Sequence, residues 1–132
     1  MASNVEATKK AFELFQRGDV PTLLKDLIDD NCTWISPGPQ DKLPWAGSFK
    51  GKQGVASFFA RVGENLEFED VAPREMIEER DTVVVLGTTT NRAKKTGKTI
   101  KYGWAIVLKY SQGKIVFVQE YMDTAAYLLA MP

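Results

Sequence analysis

Between Thr99 and Thr124 the large apolar positions fall on every second residue: Ile100, Tyr102, Trp104, Ile106, Leu108 and Tyr110. That period predicts a strand with six bulky side chains on one buried face. Ser111-Gln112-Gly113-Lys114 interrupts it with turn-forming residues, and β-branched and aromatic residues resume from Ile115 to Met122, which predicts a hairpin. If Trp104, Ile106 and Leu108 face the core, the partner strand sends Val116, Val118, Glu120 and Met122 to the same side. Val107, Ile115, Phe117 and Tyr121 then face away.

The N-terminal segment follows a helical period instead. Val5, Thr8, Phe12 and Phe15, with Ala11 and Leu14 beside them, predict a helix that stops at Arg17-Gly18. Asp19 offers an N-cap oxygen and Pro21 follows closely, so Leu23, Leu24, Leu27 and Ile28 predict a second, short helix ending near residues 29–31. Cys32 to Ser36 is β-prone and stops at Pro37-Gly38-Pro39. Residues 37–51 have no period and read as a long loop in which Trp45 and Phe49 are embedded. Val55, Phe58, Phe59 and Val62 predict a third helix from near Gly51 to Gly63. Leu66, Phe68 and Val71 alternate with acids up to Pro73, which bulges or bends an edge strand that continues to Glu79. Val83 to Leu86 is apolar on both faces and reads as a central strand. A charged hairpin loop, with Lys94, Lys95 and Lys98 in solvent, leads back to the first hairpin, and Asp123 caps a short final helix over residues 124–131.

Three helices with one short strand among them, followed by four longer strands, make an α+β order. Its economical packing is a strongly bent antiparallel sheet wrapped around the three N-terminal helices, with a short C-terminal helix. Such a sheet, closed by helices from one side, leaves a conical pocket. The apolar residues on its outer face predict a homodimer formed through the sheet.

Composition narrows the function. At 132 residues and 44% hydrophobic, the chain is expected to form one domain over 1–132. Lys plus Arg and Asp plus Glu both number 17, so no net charge draws it to nucleic acid or to an anionic membrane. With no His and only Cys32, neither a Ser-His-Asp triad, a His/Cys metal site nor an intrachain disulfide is available. No metal and no cofactor is expected. No apolar run is long enough for a signal peptide or a membrane helix, so the expectation is a cytoplasmic protein.

Several short motifs carry a resemblance when taken in order. They are Phe15-Gln16-Arg17-Gly18-Asp19, Asp30 to Pro39, Pro44-Trp45-Ala46-Gly47, Gly51-Lys52-Gln53-Gly54-Val55, Gly113-Lys114-Ile115 and Glu120-Tyr121-Met122-Asp123-Thr124. Together they resemble the SnoaL-like, ketosteroid isomerase-related branch of the nuclear transport factor 2-like superfamily. The resemblance implies a cone-shaped α+β barrel, usually a homodimer, with a hydrophobic pocket open at the wide end. It implies no single activity, because isomerases, polyketide cyclases, epoxide hydrolases, dehydratases and non-catalytic modules share the fold. Near its last strand the sequence is similar to limonene epoxide hydrolases, which by position makes Glu120 the catalytic acid. In ketosteroid isomerases an Asp general base stands before the Pro where this chain has Ser36, so that mechanism is not carried over.

Two carboxylates are therefore candidate catalytic groups. Glu120, at the inward parity among apolar neighbours, is the first; a buried carboxyl without a partner becomes a usable base or acid near neutrality. Its alternative reading is pairing with a buried donor such as Tyr102, Arg74 or Lys101, or a solvated charge at the sheet rim. Asp123 is the second, with helix capping as its alternative. Candidate binding residues are Trp34, Ser36, Trp45, Phe12, Phe58, Tyr102 and Trp104. The indoles either fill the core or stack on a flat ligand, and Trp45 in its loop reads as a lid. Cys32 has no base to activate it and reads as structural. The leading expectation is a small-molecule pocket protein, an acid/base isomerase, cyclase or epoxide hydrolase acting on a small apolar or aromatic oxygenated molecule. The alternative is a non-catalytic ligand-binding or dimerisation module.

Overall fold

Ser3 begins the first helix by accepting a hydrogen bond from the Glu6 N–H at 3.1 Å. Behind it the computed structural model, which describes residues 3–132, forms α1 over Asn4–Gln16. Asp19 repeats the device for α2 (Val20–Asp26), accepting from the Thr22 N–H with Pro in the first turn.

This second helix ends earlier than the leucine spacing predicts. The Leu27 carbonyl accepts from the Ile115 N–H at 2.7 Å, and Ile28 already pairs with Ile115, so β1 runs over Ile28–Ser36. A sheet partner distant in sequence overrides the local helical period. The segment expected to be all loop contains β2 (Gly47–Lys50), which lays Phe49 opposite Trp34 and Gly47 opposite Ser36. A strand this short is not legible by alternation.

The remaining elements are α3 (Gly51–Asn65), β3 (Leu66–Glu79), β4 (Thr82–Ala93), β5 (Thr99–Ser111), β6 (Lys114–Tyr121) and α4 (Thr124–Ala130). They make one six-stranded sheet, order β2-β1-β6-β5-β4-β3, that curls around the helices without closing. The fold is the expected α+β architecture, with one parallel pair, β1 with β6, in an otherwise antiparallel sheet. As Pro73 predicts, β3 is an edge strand, and its register shifts between Phe68 and Asp70 and again between Pro73 and Glu75. Gln112 and Gly113 both take positive φ, 50° and 78°, the geometry of the tight turn joining β5 to β6.

One parity assignment is corrected. Lys109 pairs with Phe117 but Tyr110 pairs with Ile115, so Val116 is an extra residue in β6. The bulge reverses alternation below it, and Ile115, expected on the outer face, is 1% exposed and packs in the core. Above the bulge the alternation holds: Val118 and Glu120 are buried.

Lysines outside the helices complete their C-terminal ends. Lys94 Nζ donates to the Gly63 carbonyl of α3, Lys114 Nζ to Asp26 in α2 at 2.6 Å, and Lys98 Nζ to Leu129 in α4 at 3.3 Å. Each ammonium meets the negative end of a helix dipole and satisfies a carbonyl with no partner in its own helix. Lys94 and Lys98, expected simply to be solvated, thus hold helix ends to the sheet. Leu86, 38% exposed, shows that the Val83 to Leu86 run is covered on one face only within the single chain. Among the described residues no helix is long and apolar enough to cross a membrane.

Candidate functional site

The hairpin of β5 and β6 sets Glu120 opposite Ile106, on the face turned toward the helices. The residue is 8% exposed, and among the described residues its Oε1 has no hydrogen-bond partner. Two other buried polar atoms without partners belong to β1, the Trp34 indole Nε1 and the Ser36 Oγ. Burial pushes the Glu120 carboxyl up to about 7, and the nearby Ser36 hydroxyl and Trp34 indole offset only part of that rise. Neither group completes a hydrogen bond to it, so both act on the carboxyl as oriented dipoles close by. Among the described residues no cation pairs with it.

Glu120 faces a cavity of about 130 Å³ whose walls are almost wholly apolar. Pockets for drug-sized ligands occupy roughly 300–1,000 Å³, whereas an apolar cavity of about 150 Å³ holds one benzene. A space of that volume accommodates a single ring. Trp104 forms one wall, stacked on Phe12 of α1 with centroids 5.7 Å apart and planes 12° from parallel. Trp34 forms another, in contact with Phe58 and Phe59 of α3 at 5.2 Å each. Trp45 is 1% exposed and meets the Tyr127 ring at 5.2 Å, so the residue expected to be a lid is a fixed wall.

Six of the seven expected binding residues line this cavity together with Glu120: Phe12, Trp34, Trp45, Phe58, Tyr102 and Trp104. Ser36 lies behind the lining, buried beside the carboxyl. Asp123 does not line it. Its side chain is exposed and accepts from the Ala126 N–H at 3.0 Å, capping α4. Asp123→Ala is expected to lose about 1 kcal/mol of unfolding free energy in a urea titration, while Asp123→Asn, which keeps the capping oxygen, is expected to lose almost none.

Sequence reasoning missed the polar chain at the other side of the cavity. Asn91 Nδ2 on β4 donates to the Tyr127 Oη at 2.9 Å, and the Tyr127 and Tyr102 hydroxyls are hydrogen-bonded to one another. Either hydroxyl can be the donor of that bond; in the arrangement in which Tyr127 donates, its proton goes to Tyr102. Tyr102 is then left with only the Met122 thioether, a weak acceptor at 3.9 Å, for its proton. Burial and the neighbouring Tyr127 raise the Tyr102 phenol far above its ordinary range, and burial pushes Tyr127 up to about 12. Both stay protonated at neutral pH, which leaves Tyr102 O–H as a hydrogen-bond donor for an oxygen atom in the cavity. The spacing of Tyr127 and Ala130, the two buried residues of α4, was the available signal for this helix face.

Cys32 is buried, and burial pushes its thiol up to about 11, well away from a nucleophilic thiolate. Among the described residues no group of three or more His, Cys, Asp or Glu side chains converges to hold a metal ion. The groups at hand are one buried carboxyl and one phenolic hydroxyl at an aromatic, almost wholly apolar wall.

Comparison with known proteins agrees with this geometry. A family model described as a SnoaL-like domain matches residues 8–118. None of the curated proteins compared with the chain matches it. Among solved structures, an NTF2-like protein of unknown function from Burkholderia pseudomallei is 26% identical, with a TM-score of 0.89 over 99% of this chain and 98% of the other. An NTF2-like protein from Burkholderia xenovorans is 29% identical, with a TM-score of 0.86 over 98% and 95%. TerC, crystallised with polyporic acid, is 27% identical, with a TM-score of 0.83 over 96% of each chain.

Proposed function

The chain belongs to the SnoaL-like family, within the nuclear transport factor 2-like superfamily, and from that premise we propose that it binds a small apolar oxygenated molecule and moves a proton on it with Glu120. The observation that carries this reading is the buried carboxyl with an unpaired oxygen at the wall of an aromatic cavity. A group held near 7 is a base and an acid in comparable measure at neutral pH, which is the condition for efficient proton transfer. That TerC, a similar protein, was crystallised with polyporic acid supports a small-molecule occupant.

Glu120 is the one carboxyl among the residues lining the cavity. A lone carboxyl suits a reaction in which the same group takes a proton from one atom of the substrate and returns it to another. Isomerisation or ring closure of a carbonyl compound through its enolate has this form. Glu120 removes the proton beside the carbonyl, the charge passes to the carbonyl oxygen, and Tyr102 O–H donates to that oxygen; in isomerisation the proton is returned at a second carbon, and in ring closure the enolate carbon bonds to a second carbonyl carbon and the proton is returned to the alkoxide oxygen so formed. Epoxide opening by water needs an acid for the epoxide oxygen and a base for the water at once, and Tyr102, with its strongly raised pKa, is a poor acid. In this reading Asp123 takes no step, being engaged at the end of α4. Ile77, Leu86 and Tyr121, exposed on the sheet, support association with a second copy across that face.

The test is exchange of the protons beside the carbonyl of a one-ring ketone such as acetophenone in D2O, followed by NMR. Glu120→Gln is expected to slow protein-dependent exchange by about 10²–10⁴-fold, and the wild-type rate is expected to rise with pH to a plateau above about 7 as the base ionises. Equal exchange by the two proteins would reject the assignment and favour ligand binding without catalysis.

A further inference from the structure

A second depression, a broad and open groove of about 650 Å³, lies against the cavity just described. The two spaces share Phe15, Phe59, Val62, Phe68 and Val71 in their linings. What stands between them is thus formed by side chains, chiefly three phenyl rings, with Phe15 edge-on to Phe68 at 5.2 Å and tilted against Phe59 at 5.8 Å. Rings in such contacts can rotate without disturbing any backbone pairing.

The outer groove is a constructed feature of the edge strand. The register of β3 shifts between Phe68 and Asp70, so Glu69 is an extra residue opposite β4. A bulge here re-aims Phe68 at the passage and sets Glu69 and Asp70 at the groove wall. Gln16 Nε2, at the end of α1, donates to the Val71 carbonyl at 2.7 Å and fixes the distance between the helix and that strand. Glu69 and Asp70 are the two charged residues of the lining, which contains no Lys or Arg. Lys94, which approaches at Gly63, is bonded to that residue's carbonyl.

We infer that the cavity and the groove form one binding site for an elongated ligand of at least two ring-sized segments. The oxygenated ring occupies the inner cavity beside Glu120 and Tyr102. The second segment passes the three phenyl rings and lies in the groove, where the acidic wall accepts a neutral or cationic tail and disfavours a carboxylate. This inference rests on the proposed function for the position of the inner ring, and it adds the length and the charge of the molecule that the site selects. The volumes support it: the inner space holds one ring, and the groove has several times the room.

The experiment compares four probes by calorimetry at pH 8 and low salt: acetophenone, 4-acetylbiphenyl, and the latter with an aminomethyl or a carboxylate group on its far ring. 4-Acetylbiphenyl is expected to bind about tenfold or more tighter than acetophenone through burial of the second ring. The aminomethyl compound is expected to bind about tenfold tighter than the carboxylate, and the double variant Glu69→Lys/Asp70→Lys to reverse that preference. Equal binding of the one-ring and two-ring ketones, a charge preference untouched by the double variant, or no binding of any probe to the folded protein would each overturn the inference. Failure of the catalytic reading has a different signature, because Glu120→Gln would then leave proton exchange unchanged while the dependence on length and tail charge persisted.

Discussion

Between pH 4.5 and pH 8 the wild-type protein is expected to lose roughly 3 kcal/mol of unfolding free energy that Glu120→Gln does not lose. Below the ordinary carboxyl range both the folded and the unfolded chain hold the proton on residue 120, and it contributes nothing to the difference. As pH rises, the unfolded chain releases it first, while the folded chain, with the group pushed up to about 7, retains it. Each pH unit in that window costs the folded state about 1.4 kcal/mol, and the loss levels off above 7, where both states are ionised. Other titrating groups are common to the two proteins and cancel in the comparison. Urea titrations at half-unit intervals measure the effect, which corresponds to roughly 6–12 °C in melting temperature for a domain of this size. Parallel profiles for wild type and variant would show that the carboxyl is not desolvated.

Gly87→Ala is expected to destabilise the fold by about 3 kcal/mol or more and to displace Trp104. Gly87 on β4 pairs with Trp104 on one side and with Pro73 on the other. A Cβ placed there would lie 2.4 and 2.6 Å from two atoms of the indole ring and 2.7 Å from the Ala72 carbonyl oxygen. Of these obstacles the carbonyl belongs to the backbone of β3, so rotating the indole alone does not make room. The indole is itself held by its stack on Phe12, and moving it opens the cavity wall. Near-ultraviolet circular dichroism reads the displaced indole, and denaturation reads the lost stability. A variant within 1 kcal/mol of wild type, with an unchanged near-ultraviolet spectrum, would contradict the contact.

The residues on which these two expectations rest differ in how openly the sequence displays them. Glu120 was legible because alternation over a long hairpin fixes which side each residue takes, and a charged side chain among apolar neighbours stands out. The same rule failed for Ile115, only five positions earlier, because one extra residue reverses parity and Val116 carries no local sign of being that residue. The early end of α2 and the existence of β2 depend on pairing with Ile115 and with β1, which no window of neighbouring residues contains. Tyr127 and Asn91 lay hidden for a related reason. Their roles exist only where the seven residues of α4 fold back against β4 and β5. Glycine 87 reads in sequence as a weak point in a strand, yet the tertiary structure makes it the seat of an aromatic wall.

The three tryptophans all border the same cavity and are all at least nine-tenths withdrawn from water. Indole emission from this protein thus comes entirely from the boundary of its cavity, with no tryptophan elsewhere to dilute the signal. A guest too small or too weakly held for other methods would still be sensed by the light the walls give off, and the molecule serves as its own unlabelled optical gauge of occupancy.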